Sequence, residues 1–413
     1  MLLFENQKEV FLNFLKTGIN PFEKFVSTGE IKEDLGLAKS RIDLLESIVR
    51  IVEDHENFIL PIIGKVGIGK THLYWALKNR LYYFNTVHLS LEKVYKKFFY
   101  NIYSEFIETI GLEPLRNIIN QLCNDWGALE RKYGFFHVAK IETVKSNAFK
   151  KLLNKFQEGE KVALIDVITG ITTHQLDPYK KIEAERWLLG ELMNIKELSR
   201  LNLMNDLRKS KYAFIMLKLL IENSKLGTIF FIDDFEKIIS IPNLIEEDDE
   251  EGEVFDRSWL YGKKPIPNES ATKKVLEKIL KLQRIEDLRI VVVLRADNSL
   301  EQLKRKMSRL KEPLKLEVLE PLYLETFIEE DIYEFYLKNM EKYLQNFKYS
   351  TFYEDYPNSY FPLNKKILSS IFHKAKGNPR EITKQLIELF NKIVFSHENL
   401  EILLKNYEKS NQD

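Results

Sequence analysis

The sequence predicts an α/β fold: a parallel sheet with helices on both faces, a helical insertion within it, and an α-helical C-terminal region. Three observations carry this expectation. Four short runs, at 58–63, 86–90, 228–232 and 289–294, have the length of strands, and all but 86–90 are largely apolar, as in strands buried on both faces. The stretches between them carry helical periodicity, and strands alternating with helices argue for a parallel sheet. Between the first apolar run and the helix after it stands a glycine-rich octapeptide, Gly64 to Thr71.

Taken in order, residues 1–45 read as an N-terminal helical segment. Ala38-Lys39-Ser40-Arg41 leads into a helix whose apolar positions Ile42, Leu45, Ile48, Val49 and Val52 share one face. Residues 46–320 read as the sheet domain. Its first strand is Phe58 to Ile63, and a helix follows from about Lys70 to Arg80. The strand Thr86 to Ser90 comes next. Residues 91–225 are mostly helical by pattern and too long for a simple crossover, so they form an insertion. Strands return at Thr228 to Ile232 and Arg289 to Leu294, with a last candidate at Leu314 to Leu319. From Pro321 to residue 413 the pattern is helical.

Composition excludes several classes. The chain has 413 residues, with 62 Lys plus Arg against 62 Asp plus Glu, so no basic coat for nucleic acid covers the whole surface, although a local patch remains open. The single cysteine, Cys123, rules out an internal disulfide framework and a Cys-rich zinc site, and fits a reducing, cytoplasmic setting. The charged N-terminus lacks the apolar core of a signal peptide. No apolar run is long enough to span a membrane. The acidic run Glu246 to Glu251 reads as a solvated surface loop.

The octapeptide Gly64-Lys65-Val66-Gly67-Ile68-Gly69-Lys70-Thr71 matches G-x-x-x-x-G-K-[ST]. Glycines let backbone N–H groups curl around phosphates without a Cβ in the way. The helix that starts at Lys70 turns its positive dipole end toward the anion. Lys70 adds a point charge for the β and γ phosphates, and the Thr71 hydroxyl can ligate Mg²⁺. By average residue usage the bare pattern arises by chance in about one in a hundred chains of this length. The buried strand before it and the helix after it supply the context that a chance match lacks. Bound ATP with Mg²⁺ is therefore expected.

The apolar run 228–232 ends in Asp233-Asp234-Phe235-Glu236. Asp233 is the candidate Mg²⁺ ligand. Asp234 stands where a carboxylate polarises the attacking water, with Glu236 as its alternate. The bland reading is that these acids cap the next helix. A further polar cluster, Arg295 to Asn298, follows the run 289–294, and Arg295 can face a γ phosphate at the carboxyl edge of the sheet. Gly377-Asn378-Pro379-Arg380 starts a helix, with Pro379 in its first turn. Arg380 can reach the nucleotide if the C-terminal helices close as a lid. Arg309, after Met307-Ser308, can serve a neighbouring subunit as an arginine finger. Arg305 competes for that role, and a solvated basic helix face is the third reading.

This constellation resembles the AAA+ class of P-loop ATPases. The residues that carry the resemblance are the Gly64–Thr71 loop, the Phe230–Asp234 strand, Arg295 after a following strand, and Gly377–Arg380 in a helical region. Within that class it is similar to the initiator-like branch, which includes origin-recognition and Cdc-type initiators and the ATP-binding proteins of BREX phage-defence systems. Gly69-Lys70-Thr71-His72-Leu73 and Glu185-Arg186-Trp187-Leu188-Leu189-Gly190-Glu191 point toward the last group. The resemblance implies a P-loop domain with a helical lid, nucleotide-dependent homo-oligomers, and contacts to the base from residues ahead of the loop. Arg41 and its neighbours are the candidates here; a core helix with a solvated Arg41 is the alternative. His72 joins the nucleotide-binding set through the first of the two motifs. The Asp-Asp pair departs from the Asp-Glu expected in this class and points to slow turnover.

Three functions follow. The first is an ATPase that assembles on DNA or on a protein partner. The second is a slow nucleotide-controlled interaction switch, and the third a DNA transposition regulator. Lys93 to Tyr100, mixing lysines with aromatics, reads either as a stacking surface for single strands or as an amphipathic core helix.

Overall fold

The structure, a computed structural model, describes residues 2–17, 20–25, 37–132, 135–138, 140–240, 269–307, 318–345, 358–396 and 398–409. It is an α/β fold. Its strands are β1 (Ile59–Ile63), β2 (Asn85–Ser90), β3 (Leu129–Lys132), β4 (Phe135–Val138), β5 (Thr228–Asp233), β6 (Leu288–Leu294) and β7 (Leu322–Tyr323). Five of them form a parallel sheet in the order β2-β5-β6-β1-β7, and β3 with β4 forms an antiparallel pair. The strands β1 and β6 are buried at every position, and β5 at all but its last. Burial on both faces explains their unbroken apolar runs. The edge strand β2 has half-exposed positions at Asn85, His88 and Ser90.

The chain groups into two compact units. One comprises Met1–Asp54, Ile62–Leu81 and Leu322–Asp413; the other comprises His55–Pro61 and Tyr82–Pro321. The chain passes from the second to the first within β1.

In the second unit, β2 pairs with β5 from Asn85↔Thr228 to Ser90↔Asp233, which sets Asp233 at the carboxyl end of β5. Between β2 and β5 lie the expected helices, among them Phe98–Ile110, Leu112–Asp125, Lys161–Leu176, Lys181–Leu188 and Ser210–Glu222. The hairpin of β3 and β4 departs from the helical expectation. Leu129-Glu130-Arg131-Lys132 is too short to show a period, and the strand exists through its pairing with β4, from Leu129↔Val138 to Lys132↔Phe135. Phe98 and Phe99 of the Lys93–Tyr100 stretch are 1% and 4% exposed, so they belong to the core and offer no face for base stacking. Trp187 is buried as well, and its indole donates to the Asn205 carbonyl at 3.0 Å. A Cβ on Gly170 would come within 2.7 Å of its ring.

In the first unit, the N-terminal helix Leu2–Thr17 and Phe22 share one hydrophobic core with the helices Glu329–Gln345, Lys365–Ala375, Pro379–Phe395 and Leu400–Lys409. Phe22 stacks on Tyr336 with ring centroids 5.8 Å apart and meets Phe390 edge-on at 5.3 Å. The expected strand at 314–319, which belongs to the second unit, falls mostly outside the described residues; within it Val318 bridges Ile59 of the same unit in parallel. Pairing resumes at β7, where the sequence pattern predicts helix. Two residues are too few for a periodic signal, and β7 forms because Leu322 and Tyr323 pair with Ile62 and Ile63. The acidic run 246–251 and Arg309 lie outside the described residues. No helix of the described residues is long and apolar enough to cross a membrane.

Candidate functional site

The glycine-rich loop belongs to the first unit. It leaves the carboxyl end of β1, where Leu324 N–H donates to the Ile63 carbonyl at 2.8 Å. Gly67 and Gly69 have φ of 83° and 100°, a region that side chains with a Cβ rarely occupy. Ile68 between them is 1% exposed and anchors the loop, so closely that a Cβ on Gly64 would lie 2.3 Å from its Cδ1. Lys65 and Val66 are exposed. The helix begins at Lys70, as the sequence predicts. Its cap, Gly69, makes no side-chain cap bond, and a Cβ there would meet nothing within 4 Å. Lys70 Nζ donates to the Gly64 carbonyl at 2.9 Å, folding back across the loop. Thr71 is exposed in the first turn.

The start of the helix Pro379–Phe395 lies against this loop. Arg380 N–H donates to the Gly67 carbonyl at 3.0 Å, and Asn378 Nδ2 to the Val66 carbonyl at 3.2 Å. His72 lies with its ring 5.6 Å from that of Phe25. Burial and the nearby Arg380 charge lower its pKa, which keeps the imidazole neutral. Arg41 is 8% exposed; its guanidinium donates to the Glu325 carbonyl and lies 5.1 Å from the centre of the Phe327 ring. Burial lowers its pKa, partly offset by Asp331 and Glu325. This arrangement ties Arg41 to the segment after β7.

The second unit holds the acidic strand end. Asp233 Oδ1 accepts from the Asp234 N–H at 2.8 Å, and Asp233 Oδ2 lies 3.9 Å from His88 Nε2. Asp234 has φ of 53°, a left-handed conformation that Asp tolerates better than most residues. Its carboxylate is paired on both sides, with Arg295 Nη2 at 3.1 Å and Lys237 Nζ at 3.0 Å. Arg295 Nε also meets Glu236 Oε1 at 2.5 Å, and Lys237 is paired with Glu92. The carboxylates raise the pKa of both cations: Asp234 and then Glu236 act on Arg295, Glu92 and then Asp234 on Lys237. The structure thus gathers Asp233, Asp234, Glu236 and Arg295 into one network. His88, Lys237 and Glu92 complete it, and nothing in the local sequence marked them. Asp297 and Asn298 are exposed at the start of the helix Asp297–Met307. On that helix Arg305 is paired with Glu301 at 3.6 Å.

No protein-family model matches this chain, and no curated protein sequence matches it.

Proposed function

We propose that the chain is an ATP-binding, AAA+-like ATPase of the initiator-like branch, whose Gly64–Thr71 loop holds the triphosphate. The observation that carries this reading is the loop itself: two glycines at positive φ, a helix start capped by Gly69 with no side-chain cap bond, and Lys70 folded across it. A helix N-terminus alone favours an anion by about 1 kcal/mol. Micromolar binding takes about 8 kcal/mol. The loop amides and the Lys70 ammonium must supply the rest, which is the task their types and spacing suit. Mg²⁺ that rides on substrate phosphates needs one or two protein oxygens rather than a closed cage. The exposed Thr71 hydroxyl and the half-buried Asp233 carboxylate are donors of the right type, and the ion would offset phosphate charge. In this reading Asp234 orients the attacking water, Glu236 is its alternate, and Arg295 and Arg380 respond to the γ phosphate.

ATP binding would drive assembly on nucleic acid or on a protein partner. A specific observation favours a slow switch as the second reading, because Asp234 is held by two cations at once.

The test is Mg·ATP binding and phosphate release, with and without single- and double-stranded DNA, alongside mass measurement in ATP and in ADP. DNA-stimulated, salt-sensitive turnover with ATP-dependent assembly supports the first reading. Tight retention without turnover supports the switch. Absence of nucleotide binding overturns both.

A further inference from the structure

We propose that Asn378 is a positioning residue that fixes the peptide orientation of the phosphate loop, so that the Gly67 and Ile68 amides stand ready for an anion. The inference rests on the reading that this loop binds a triphosphate.

A trans peptide is planar, with its C=O and N–H pointing in opposite directions. Whatever captures the Val66 carbonyl therefore aims the Gly67 amide the other way, and whatever captures the Gly67 carbonyl aims the Ile68 amide. Both carbonyls are captured by the 377–380 turn: Val66 O by Asn378 Nδ2 at 3.2 Å, and Gly67 O by the Arg380 N–H at 3.0 Å. Such a device has a purpose here. Gly67 sits at φ 83°, and glycine adopts either sign of φ with similar ease, so an unrestrained loop samples flipped peptides.

The amide orientation of Asn378 is dictated by its partners. Its Oδ1 accepts from the Arg380 and Glu381 N–H groups at 3.0 and 3.4 Å, which caps the helix. Two backbone donors require an acceptor, so the NH₂ end faces Val66. Asn, Asp and Ser cap helices about equally well. Asp has no donor to offer the loop, and the Ser hydroxyl, although it both accepts and donates, is too short to reach Val66, so of the three Asn alone joins cap to loop. The turn is itself pinned: Gly377 has φ of 69°, its carbonyl accepts from Phe327 N–H at 2.8 Å, and a Cβ there would lie 2.4 Å from the Phe327 oxygen.

The experiment compares Asn378→Ser with wild type and Lys70→Ala in the full chain, reading Mg·ATP affinity, turnover at saturation, and melting without nucleotide. Ser keeps a neutral cap but is too short to reach Val66. The expected result is unchanged melting, a Kd for Mg·ATP about 3- to 10-fold weaker, matching one lost hydrogen bond, and unchanged kcat. Asn378→Asp, which keeps the cap and turns an acceptor toward the Val66 carbonyl, loses more. Wild-type affinity in Asn378→Ser beside lost binding in Lys70→Ala overturns the role of Asn378 and leaves the phosphate loop standing. A fall in melting that accounts for the lost affinity reduces Asn378 to a cap and overturns it too. If wild type and Lys70→Ala alike fail to bind, the underlying reading falls, and this inference with it.

Discussion

Arg295 Nη2 lies 3.1 Å from Asp234 Oδ1, so the carboxylate proposed to orient water is held by a guanidinium just past the end of β6, the neighbour of β5 in the sheet. Lys237 holds the same carboxylate from its own turn. Asp234→Asn removes the charge but keeps the shape. ATP binding is expected to persist while phosphate release falls about 100-fold or more, the scale of a lost general base. Undiminished release would move the role to Glu236, whose carboxylate shares Arg295.

The loop glycines differ in what surrounds them, and their alanine variants should differ accordingly. A Cβ on Gly67 would lie 2.8 Å from Asn378 Oδ1, whereas one on Gly69 would meet nothing within 4 Å. Both variants carry a positive-φ penalty of about 1–2 kcal/mol. Gly67→Ala adds a clash with the turn that caps the next helix. It should lower the denaturant midpoint more than Gly69→Ala does; equal midpoints would count against the closeness of the 377–380 turn.

Arg380 touches the loop through its backbone, and its side chain carries the charge that lowers the His72 pKa after burial. Arg380→Ala should therefore leave the fold intact, weaken ATP relative to ADP, and raise the His72 pKa. A histidine titration followed by NMR checks the last point, and an unmoved His72 would remove Arg380 from its neighbourhood.

The Glu185 carboxylate is held at about 2, first by hydrogen bonds from Arg116 and next by His174, against an ordinary value of 4.5. A pKa lowered by folding contributes stability that is present above the unfolded value and is lost as pH falls through the folded one. Glu185→Gln should thus melt earlier than wild type at pH 6, and the gap should close between about pH 4.5 and 2. A gap constant over that window would show that shape, rather than charge, joins the helices Leu112–Asp125 and Lys181–Leu188.

Burial pushes the Cys123 thiol up to about 12. The thiolate is the reactive form, so a maleimide should modify the native chain slowly and the urea-unfolded chain at once. Rapid native labelling would contradict a buried Cys123.

Sequence alone determined the strands that carry unbroken apolar runs and the helix start at Lys70. Burial on both sheet faces and the φ demands of glycine are local properties that residue types announce. It also marked Asp233 and Asp234, because carboxylates at the end of an apolar strand stand out. Tertiary structure decided the rest. Strand β7 exists through pairing with Ile62 and Ile63, and β3 with β4 through each other. The hold of Arg295 and Lys237 on Asp234, the commitment of Arg41 to Glu325, and the grip of Asn378 on Val66 join residues from 3 to 312 positions apart. Most of these pairings span distances at which no periodicity operates. Partners so remote are chosen by the packing of whole elements, which a linear pattern does not encode.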